Sequence, residues 1–207
     1  MFDVETGGLD WKTNPITQIA FVVLNGNTME EVESYCTYVQ PYSQGMKYEQ
    51  KALDFTGITM EMINGGSPAK QVVDHLTTTF KKYRSSRTPN PKYFPVLVGH
   101  NASSFDRNFI WNLFKIFGYD LYDYTGKHIE DTQFLTQNAV PDLASVKLIN
   151  CCEHFGISLE GAHDALNDVR ATAEVFKVLT GRLRQSGDEE VTLKAGVEYQ
   201  RTFKFAF

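Results

Sequence analysis

The sequence lacks the long apolar runs of a membrane protein, since no stretch approaches the roughly 20 apolar residues that span a bilayer. Its first residues also lack a basic segment followed by an apolar one, so we expect neither a signal peptide nor a membrane partner. Cysteine is scarce: Cys36, Cys151 and Cys152 lack the spacing of a disulfide framework or a zinc knuckle. We therefore expect a cytoplasmic protein with reduced thiols.

Positive charge is not in excess either, because the formal net charge is −5 at pH 7. This balance argues weakly against a protein that coats nucleic acid through bulk charge. It is compatible with an enzyme that binds a few phosphates locally and carries clustered carboxylates. The 207 residues, 42% of them hydrophobic, are enough for one domain with a substantial core.

Hydrophobic patterns predict an α/β domain with a mixed sheet flanked by helices. A short first strand is expected to carry Asp3 and Glu5 and to run into a glycine turn. Further strands are predicted at residues 16–24, 32–39, 96–98 and 121–124. Helices are predicted at residues 68–83, 104–117, 142–155 and 164–185, the second of them capped by Ser103 or Ser104.

The first strand presents two carboxylates on one side. Asp3 and Glu5 are two residues apart, and side chains alternate faces along a strand. Two neighbouring carboxylates repel each other unless something neutralises them, and a divalent metal such as Mg²⁺ or Mn²⁺ does so directly. A solvated strand end is the simpler explanation for the pair alone. The following Gly7 and Gly8, however, allow a backbone to approach a phosphate or sugar closely.

Three later residues also have simple explanations when each is taken alone. Asp106 lies in the first turn of a helix, where it would interact with the helix dipole. It also follows a buried strand, and the carboxyl ends of strands are the usual place for α/β sites. His163 precedes the last helix and Asp168 lies within it, while Asp164 is expected to be that helix's N-cap. A histidine at a helix start is exposed enough to move protons.

Three segments in this order resemble the DEDDh exonucleases, a family that includes the proofreading subunits and domains of bacterial DNA polymerase III. The segments are DVETGGL, HNASSFDRNF and AHDALNDVRAT, and ALDFTGIT and DTQFL extend the resemblance over most of the chain. The resemblance implies a ribonuclease H-like fold and two-metal hydrolysis of phosphodiesters. It implies that two divalent cations, Mg²⁺ or Mn²⁺, bind Asp3, Glu5, Asp106 and Asp168, and that His163 is the general base.

The resemblance also implies contacts with the terminal nucleotide. The backbone of Thr6, Gly7 and Gly8 would hold the 3′-hydroxyl together with Glu5, and Leu9 would wedge against the terminal base. The residues that match the base pocket are Ala52, Phe55, Thr56 and Phe105. Ordinary core packing is the alternative for Leu9 and Phe55. Asn101 is expected either to contact substrate or to cap a turn.

Three features depart from the family pattern. Only Met1 and Phe2 precede Asp3, whereas the family's first strand is usually several residues longer, so either the strand is short or residues are missing. Gly7 stands where the family commonly has a second threonine. Thr56 stands in place of a histidine that some relatives have.

These implications favour a 3′→5′ exonuclease that shortens single-stranded DNA and releases nucleoside 5′-monophosphates. An enzyme of the same family that trims or degrades RNA is an alternative, because small local contacts read the 2′-hydroxyl. A non-catalytic module that binds nucleic acid or protein is a third hypothesis. Such a module is expected to have lost at least one of the five site residues, and all five are present.

We expect residues 1–185 to form the exonuclease domain and residues 186–207 to form an extension. The extension is interpreted either as a hairpin or as a strand that binds a DNA polymerase or another protein. A basic stretch without acids either guides a phosphate backbone or is a solvated loop. Its cations are Lys81, Lys82, Arg84, Arg87 and Lys92.

Overall fold

Two sheets lie at the centre of the fold. The computed structural model describes residues 1–84, 94–159, 161, 163–185, 191–195 and 199–203. The first sheet is antiparallel, with strands β1 (Phe2–Thr6), β2 (Ile16–Leu24) and β3 (Glu31–Tyr38) in that order. The second sheet is a parallel pair, β4 (Leu97–Gly99) and β5 (Ile129–Asp131). The predicted α/β class with mixed strand directions is confirmed.

Helices surround these strands. Within the described residues they are α1 (Gln50–Thr56), α2 (Met60–Gly65), α3 (Ala69–Tyr83), α4 (Asp106–Ile116), α5 (Thr132–Ala139), α6 (Leu148–Phe155) and α7 (Ala165–Gln185). No helix in this part of the chain combines the length and apolar character that crossing a bilayer requires. The three cysteines are free thiols.

The central strand β2 is buried on both faces, which explains its nearly continuous apolar sequence. On one face Ile19 and Phe21 join a core cluster with residues of α3 and α4. On the other face Ala20 and Val22 pack against Val169 of α7. β2 therefore fixes the positions of the helices that start with, or carry, the predicted site residues.

Close packing at the end of β4 requires a glycine. A Cβ on Gly99 would lie 3.1 Å from the carbonyl oxygen of Phe2 and would clash with the Ala102 side chain. The absence of a side chain therefore lets β4 and the loop after it lie directly beside β1. This contact brings the start of α4 to the strand that carries Asp3 and Glu5.

The prediction of a strand at residues 121–124 is wrong. The segment Leu121–Asp123 is a 3₁₀ helix, and the Asp120 side chain caps it by accepting a hydrogen bond from the Tyr122 N–H at 2.9 Å. The apolar signal comes from Leu121, which is completely buried. A single buried side chain in a capped turn therefore produced a sequence pattern similar to that of a short strand.

The predicted helix at 142–155 is too long, and α5 was missed. α6 begins only at Leu148, and the residues between α5 and α6 are irregular. Leu143 and Val146 nevertheless pack on the cluster that α5, α6 and α7 share. Their spacing of three residues imitates a helical period although the backbone is not helical.

The predicted caps of α4 are also wrong. Phe105 occupies the N-cap position, and no side chain of the described residues caps the helix. The Ser103 hydroxyl donates instead to the Asp131 carboxylate at 2.6 Å. The Ser104 hydroxyl donates to the Asn101 side chain, also at 2.6 Å. Both serines therefore organise the loop before α4 rather than the helix itself.

The C-terminal strands β6 (Val191–Ala195) and β7 (Tyr199–Phe203) pair antiparallel, and β6 lies near α5. The division of the chain into residues 1–185 and 186–207 stays a prediction, as does a role of the second part in binding a partner. Of the basic stretch, Lys82 pairs with Glu33 at 2.7 Å. Arg87 and Lys92 lie outside the described residues.

We expect Phe114→Ala to lower the free energy of unfolding by about 3–5 kcal/mol, because it leaves a cavity in the core. Phe114 is completely buried, and its ring centroid lies 6.3 Å from that of Phe80 and 6.2 Å from that of Tyr124. Urea unfolding followed by circular dichroism measures the change. Phe55→Ala is the matched control, since Phe55 is 66% exposed; an equal loss in both variants would contradict this view of the core.

Candidate active site

β1 places its two carboxylates on one side, as predicted. Phe2, Val4 and Thr6 are buried, whereas Asp3 and Glu5 alternate with them and are only half-buried. The apolar side chains enter the core next to α4, and the carboxylates therefore face the opposite side, where α7 begins. The predicted geometry of the pair is confirmed. The residues that surround the two carboxylates determine what the pair can bind.

Asp106 joins β1 through a long-range hydrogen bond. It is the first residue of α4 and is 5% exposed. Its carboxylate accepts a hydrogen bond from the backbone N–H of Val4 at 3.1 Å. Because Val4 lies between Asp3 and Glu5, this bond holds the third carboxylate directly beside the first two.

Asp168 and His163 reach the same place from the first turn of α7 and the loop before it. One oxygen of Asp168 accepts a hydrogen bond from the backbone N–H of His163 at 3.2 Å. Its other oxygen is buried and has no hydrogen-bond partner among the described residues. A ligand atom from each of Glu5, His163 and Asp168 lies within 4.8 Å of the other two. The structure therefore brings all five predicted residues together.

The electrostatics of this cluster suit a cation. Burial raises the pKa of Asp3 well above its usual range, and the carboxylates of Asp106 and Glu5 raise it further. Burial and then the Asp168 carboxylate raise the pKa of Glu5 to about 8. Burial also raises the pKa of Asp106 to about 7 and raises that of Asp168. Positive charge would stabilise all four ionised carboxylates, and the unpaired oxygen of Asp168 offers it a ligand.

Gln18 positions the start of α7, and we did not predict this role. Its side-chain N–H₂ donates to Asp164 at 3.2 Å, and its carbonyl oxygen accepts from the N–H of Ala165 at 3.1 Å. Asp164 caps the helix as predicted, accepting from the N–H groups of Leu166 and Asn167. The available signal was a glutamine in the middle of the apolar run of β2, since a buried amide needs partners.

A buried asparagine fixes the glycine turn after β1. The side chain of Asn14 donates to the Lys47 carbonyl at 2.8 Å and accepts from the Asp10 N–H at 2.9 Å. A Cβ on Gly8 would lie 2.5 Å from the Asn14 side chain, so this position requires glycine. The Thr6 hydroxyl donates to the Gly8 carbonyl at 2.7 Å. Gly7 also belongs to the turn, and its N–H donates to the Pro15 carbonyl.

Two apolar side chains beside the site face solvent. Leu9 is 81% exposed and Phe55 is 66% exposed, so ordinary core packing does not account for either of them. The ring of Phe55 lies 4.3 Å from that of His163, measured between centroids. This exposed aromatic ring lies against the imidazole that is predicted to be the general base. It is a surface on which a nucleobase can stack.

The other predicted base-pocket residues differ in their surroundings. Ala52 and Thr56 lie on α1, where the Thr56 hydroxyl donates back to the Ala52 carbonyl at 3.2 Å. Phe105 is half-buried and packs on Phe109, with 4.8 Å between ring centroids. The roles of these residues in binding substrate stay predictions.

Asp131 organises the loop that leads to Asp106. Its carboxylate accepts from the N–H of Asn101 at 2.8 Å and from both the N–H and the hydroxyl of Ser103. Asn101 has a φ of +60° and accepts from Ser104 through its side chain, which is the expected turn-capping contact; its role in binding substrate stays a prediction. The Asp131 carboxylate therefore holds this loop in place from the end of β5.

Comparisons with known proteins identify the family of this chain. Residues 1–176 match the family model RNase_T, described as an exonuclease. A PolC-type DNA polymerase III from Clostridium perfringens is 32% identical over 188 residues, which are 91% of this chain and 12% of that protein. A ribonuclease T from Photorhabdus laumondii is 30% identical over 200 residues, covering 94% of this chain and 89% of that protein. The chain thus spans about one eighth of the PolC-type relative.

Solved structures show the same fold. The crystal structure of E. coli exonuclease I in complex with a dT13 oligonucleotide has a TM-score of 0.72 at 22% identity, covering 90% of this chain and 42% of that chain. A zinc-bound form of the complex of E. coli exonuclease I with single-stranded DNA gives the same TM-score and covers 89% of this chain and 40% of that chain. The predicted ribonuclease H-like fold is confirmed. Because the family model matches most of the chain and the ribonuclease T is similar over nearly its whole length, this chain belongs to the RNase_T family of DnaQ-like exonucleases.

Proposed function

We propose that this chain is a metal-dependent 3′→5′ exonuclease of the DEDDh type that shortens single-stranded DNA and releases nucleoside 5′-monophosphates. The observation that carries the proposal is the convergence of Glu5, His163 and Asp168, whose ligand atoms lie within 4.8 Å of one another. The PolC-type relatives and the oligonucleotide complexes of exonuclease I support DNA as the substrate.

Asp3, Glu5, Asp106 and Asp168 would hold two divalent cations, Mg²⁺ or Mn²⁺, which prefer oxygen ligands. When bound, the cations supply Lewis-acid stabilisation of the charge that develops on the phosphate. Two observations support the assignment: the buried oxygen of Asp168, which has no partner in the part of the chain that the structure describes, and the raised pKa of Glu5 and Asp106. Each of these unfavourable features is relieved by positive charge.

The chain's own groups move the proton and hold the nucleotide. His163 is exposed, and its φ of +71° is a conformation that L-residues rarely adopt. This backbone turns the imidazole toward Glu5 and Asp168, where it accepts the proton of the attacking water. The backbone of residues 6–8 then holds the 3′-hydroxyl, while Leu9 and Phe55 contact the terminal base.

RNA is the second candidate substrate because of one specific comparison. The ribonuclease T that is 30% identical matches this chain over 89% of its own length, so the two proteins are similar in extent. The carboxylates and His163 act in the same way on either nucleic acid. Only contacts near the sugar distinguish the 2′-hydroxyl.

The purified chain should shorten a 5′-labelled single-stranded oligonucleotide from its 3′ end in Mn²⁺, and EDTA should abolish the reaction. Denaturing gels of DNA and RNA oligonucleotides of matched sequence would show the ladders. Faster shortening of the DNA supports the proposal, and faster shortening of the RNA assigns the second candidate. If neither is shortened in Mn²⁺ or Mg²⁺, the catalytic proposal is wrong.

Two substitutions should distinguish a metal-binding carboxylate from the general base. Asp168→Asn should weaken Mn²⁺ binding and reduce hydrolysis by more than about 100-fold, because a neutral amide does not replace a carboxylate ligand. His163→Ala should reduce hydrolysis by about 10²–10⁴-fold with Mn²⁺ affinity nearly unchanged. Calorimetry gives the affinity and the labelled oligonucleotide gives the rate.

Asp142→Asn, which changes an exposed carboxylate between α5 and α6, is the matched control. Circular dichroism should show that all three variants fold. Full activity of Asp168→Asn in Mg²⁺ would overturn the site assignment. Loss of Mn²⁺ affinity in His163→Ala would make His163 a ligand instead of the base.

In EDTA the melting temperature should fall as the pH rises from about 5 to about 8. Burial raises the pKa of Glu5 from 4.5 to about 8 and that of Asp106 from 3.8 to about 7, so the folded state keeps protons that the unfolded chain has released. The stabilisation from these protons is complete below the pKa values of the unfolded chain. It is lost as the pH rises through the pKa values of the folded state. Scanning calorimetry measures the profile.

Excess Mg²⁺ should offset this loss above pH 7, because the cation neutralises the ionised cluster. Glu5→Gln should flatten the profile in EDTA, since one titrating carboxyl is removed. A melting temperature that rises with pH in EDTA would show that the carboxylates are not destabilising in the cation-free protein.

A further inference from the structure

The only two tryptophans of the sequence meet on the surface. Trp11 lies in the loop after β1 and Trp111 lies in α4; both are partly exposed, and their ring centroids are 5.8 Å apart in an edge-to-face arrangement. The Lys12 ammonium lies 5.4 Å from the Trp11 ring centroid, and the Lys115 ammonium lies 4.7 Å from that of Trp111. Aromatic faces and cations therefore alternate within one small area.

α4 extends this area along its length. Arg107, Trp111 and Lys115 are four residues apart and therefore share one side of the helix. They span about 12 Å at 1.5 Å per residue. After Asp106 the helix has no acidic residue, although the whole chain carries a net charge of −5. We call Arg107, Trp111 and Lys115, together with Trp11 and Lys12, the Trp–Lys stripe.

The stripe starts at the candidate active site. Arg107 follows Asp106 directly, and Trp11 lies two residues after the exposed Leu9. The Asn112 side chain donates to the Trp11 carbonyl at 2.9 Å and so fixes the loop to α4. Asp10 is an acid next to the stripe in the sequence, and its carboxylate accepts from the Lys12 N–H and the Thr13 hydroxyl. The stripe is thus a fixed surface that leads away from the site.

We propose that the Trp–Lys stripe binds the single strand immediately upstream of the terminal nucleotide. Indole faces stack on bases of any sequence, and lysine and arginine neutralise phosphates. A duplex offers the phosphates but hides the base faces, so the surface suits a single strand. The lysine side chains are long and their contacts with the rings are exposed. Their ammonium groups can therefore move to phosphates and free the ring faces for bases.

This inference rests on the proposed function, but binding tests it without hydrolysis. In EDTA, quenching of tryptophan fluorescence should report binding of a single-stranded DNA 12-mer. Lys12→Gln/Lys115→Gln should weaken this binding at least about 5-fold and lower the slope of log affinity against log salt by about 0.7 per lysine. Lys127→Gln, in the loop before β5 and outside the stripe, is the matched control and should change neither quantity.

Trp111→Phe keeps an aromatic ring in the core contact and reduces the stacking surface. With Mn²⁺, this variant and the lysine variant should raise KM for the 12-mer while leaving kcat and cleavage of a dinucleotide unchanged. Unaltered 12-mer affinity and salt slope in the lysine variant would overturn the proposal, and so would an equal loss on the dinucleotide. Salt-dependent binding through the stripe without any hydrolysis would support the surface while refuting the exonuclease.

Discussion

Repulsion between partly buried carboxylates is the constraint on which this structure depends. Asp3, Glu5, Asp106 and Asp168 come from three segments far apart in the sequence, and burial raises the pKa of each. Such a cluster lowers the free energy of unfolding unless positive charge compensates it. The fold must therefore obtain its stability elsewhere. The two apolar faces of β2 provide it, with α3 and α4 packed on one side and α7 on the other.

Backbone amides hold the carboxylates together in spite of this repulsion. The N–H of Val4 donates to Asp106 and the N–H of His163 donates to Asp168, and each bond lowers the pKa of the carboxyl that accepts it. Asp131 accepts two amides and a hydroxyl in the loop before α4. A backbone amide is a donor whose position the fold fixes, so these bonds hold the carboxylates in place without a bound cation.

The sequence allowed the local parts of this arrangement to be predicted. The apolar run of β2 marked its observed bounds, the period-two rule placed Asp3 and Glu5 on one face, and Asp164 was identified as a cap. Contacts between distant residues could not be predicted, such as Gln18 with Asp164. The spacing of Leu143 and Val146 misled for a related reason, since tertiary packing creates the same pattern without a helix. The convergence of the site was inferred from a family resemblance and not from local rules.

The combination of buried and exposed groups would allow the proposed site to accept a strand of any sequence. The carboxylates are partly buried and held by fixed donors, whereas Leu9, Phe55 and His163 are exposed beside them. Exposed apolar groups gain free energy only when a partner covers them, and a stacked base is such a partner. A bound strand would thus exclude water from the carboxylates and strengthen their interaction with cations. Under the proposed function the substrate itself would complete the enclosure of the site, so recognition of the bases and activation of the phosphate would be parts of one binding event.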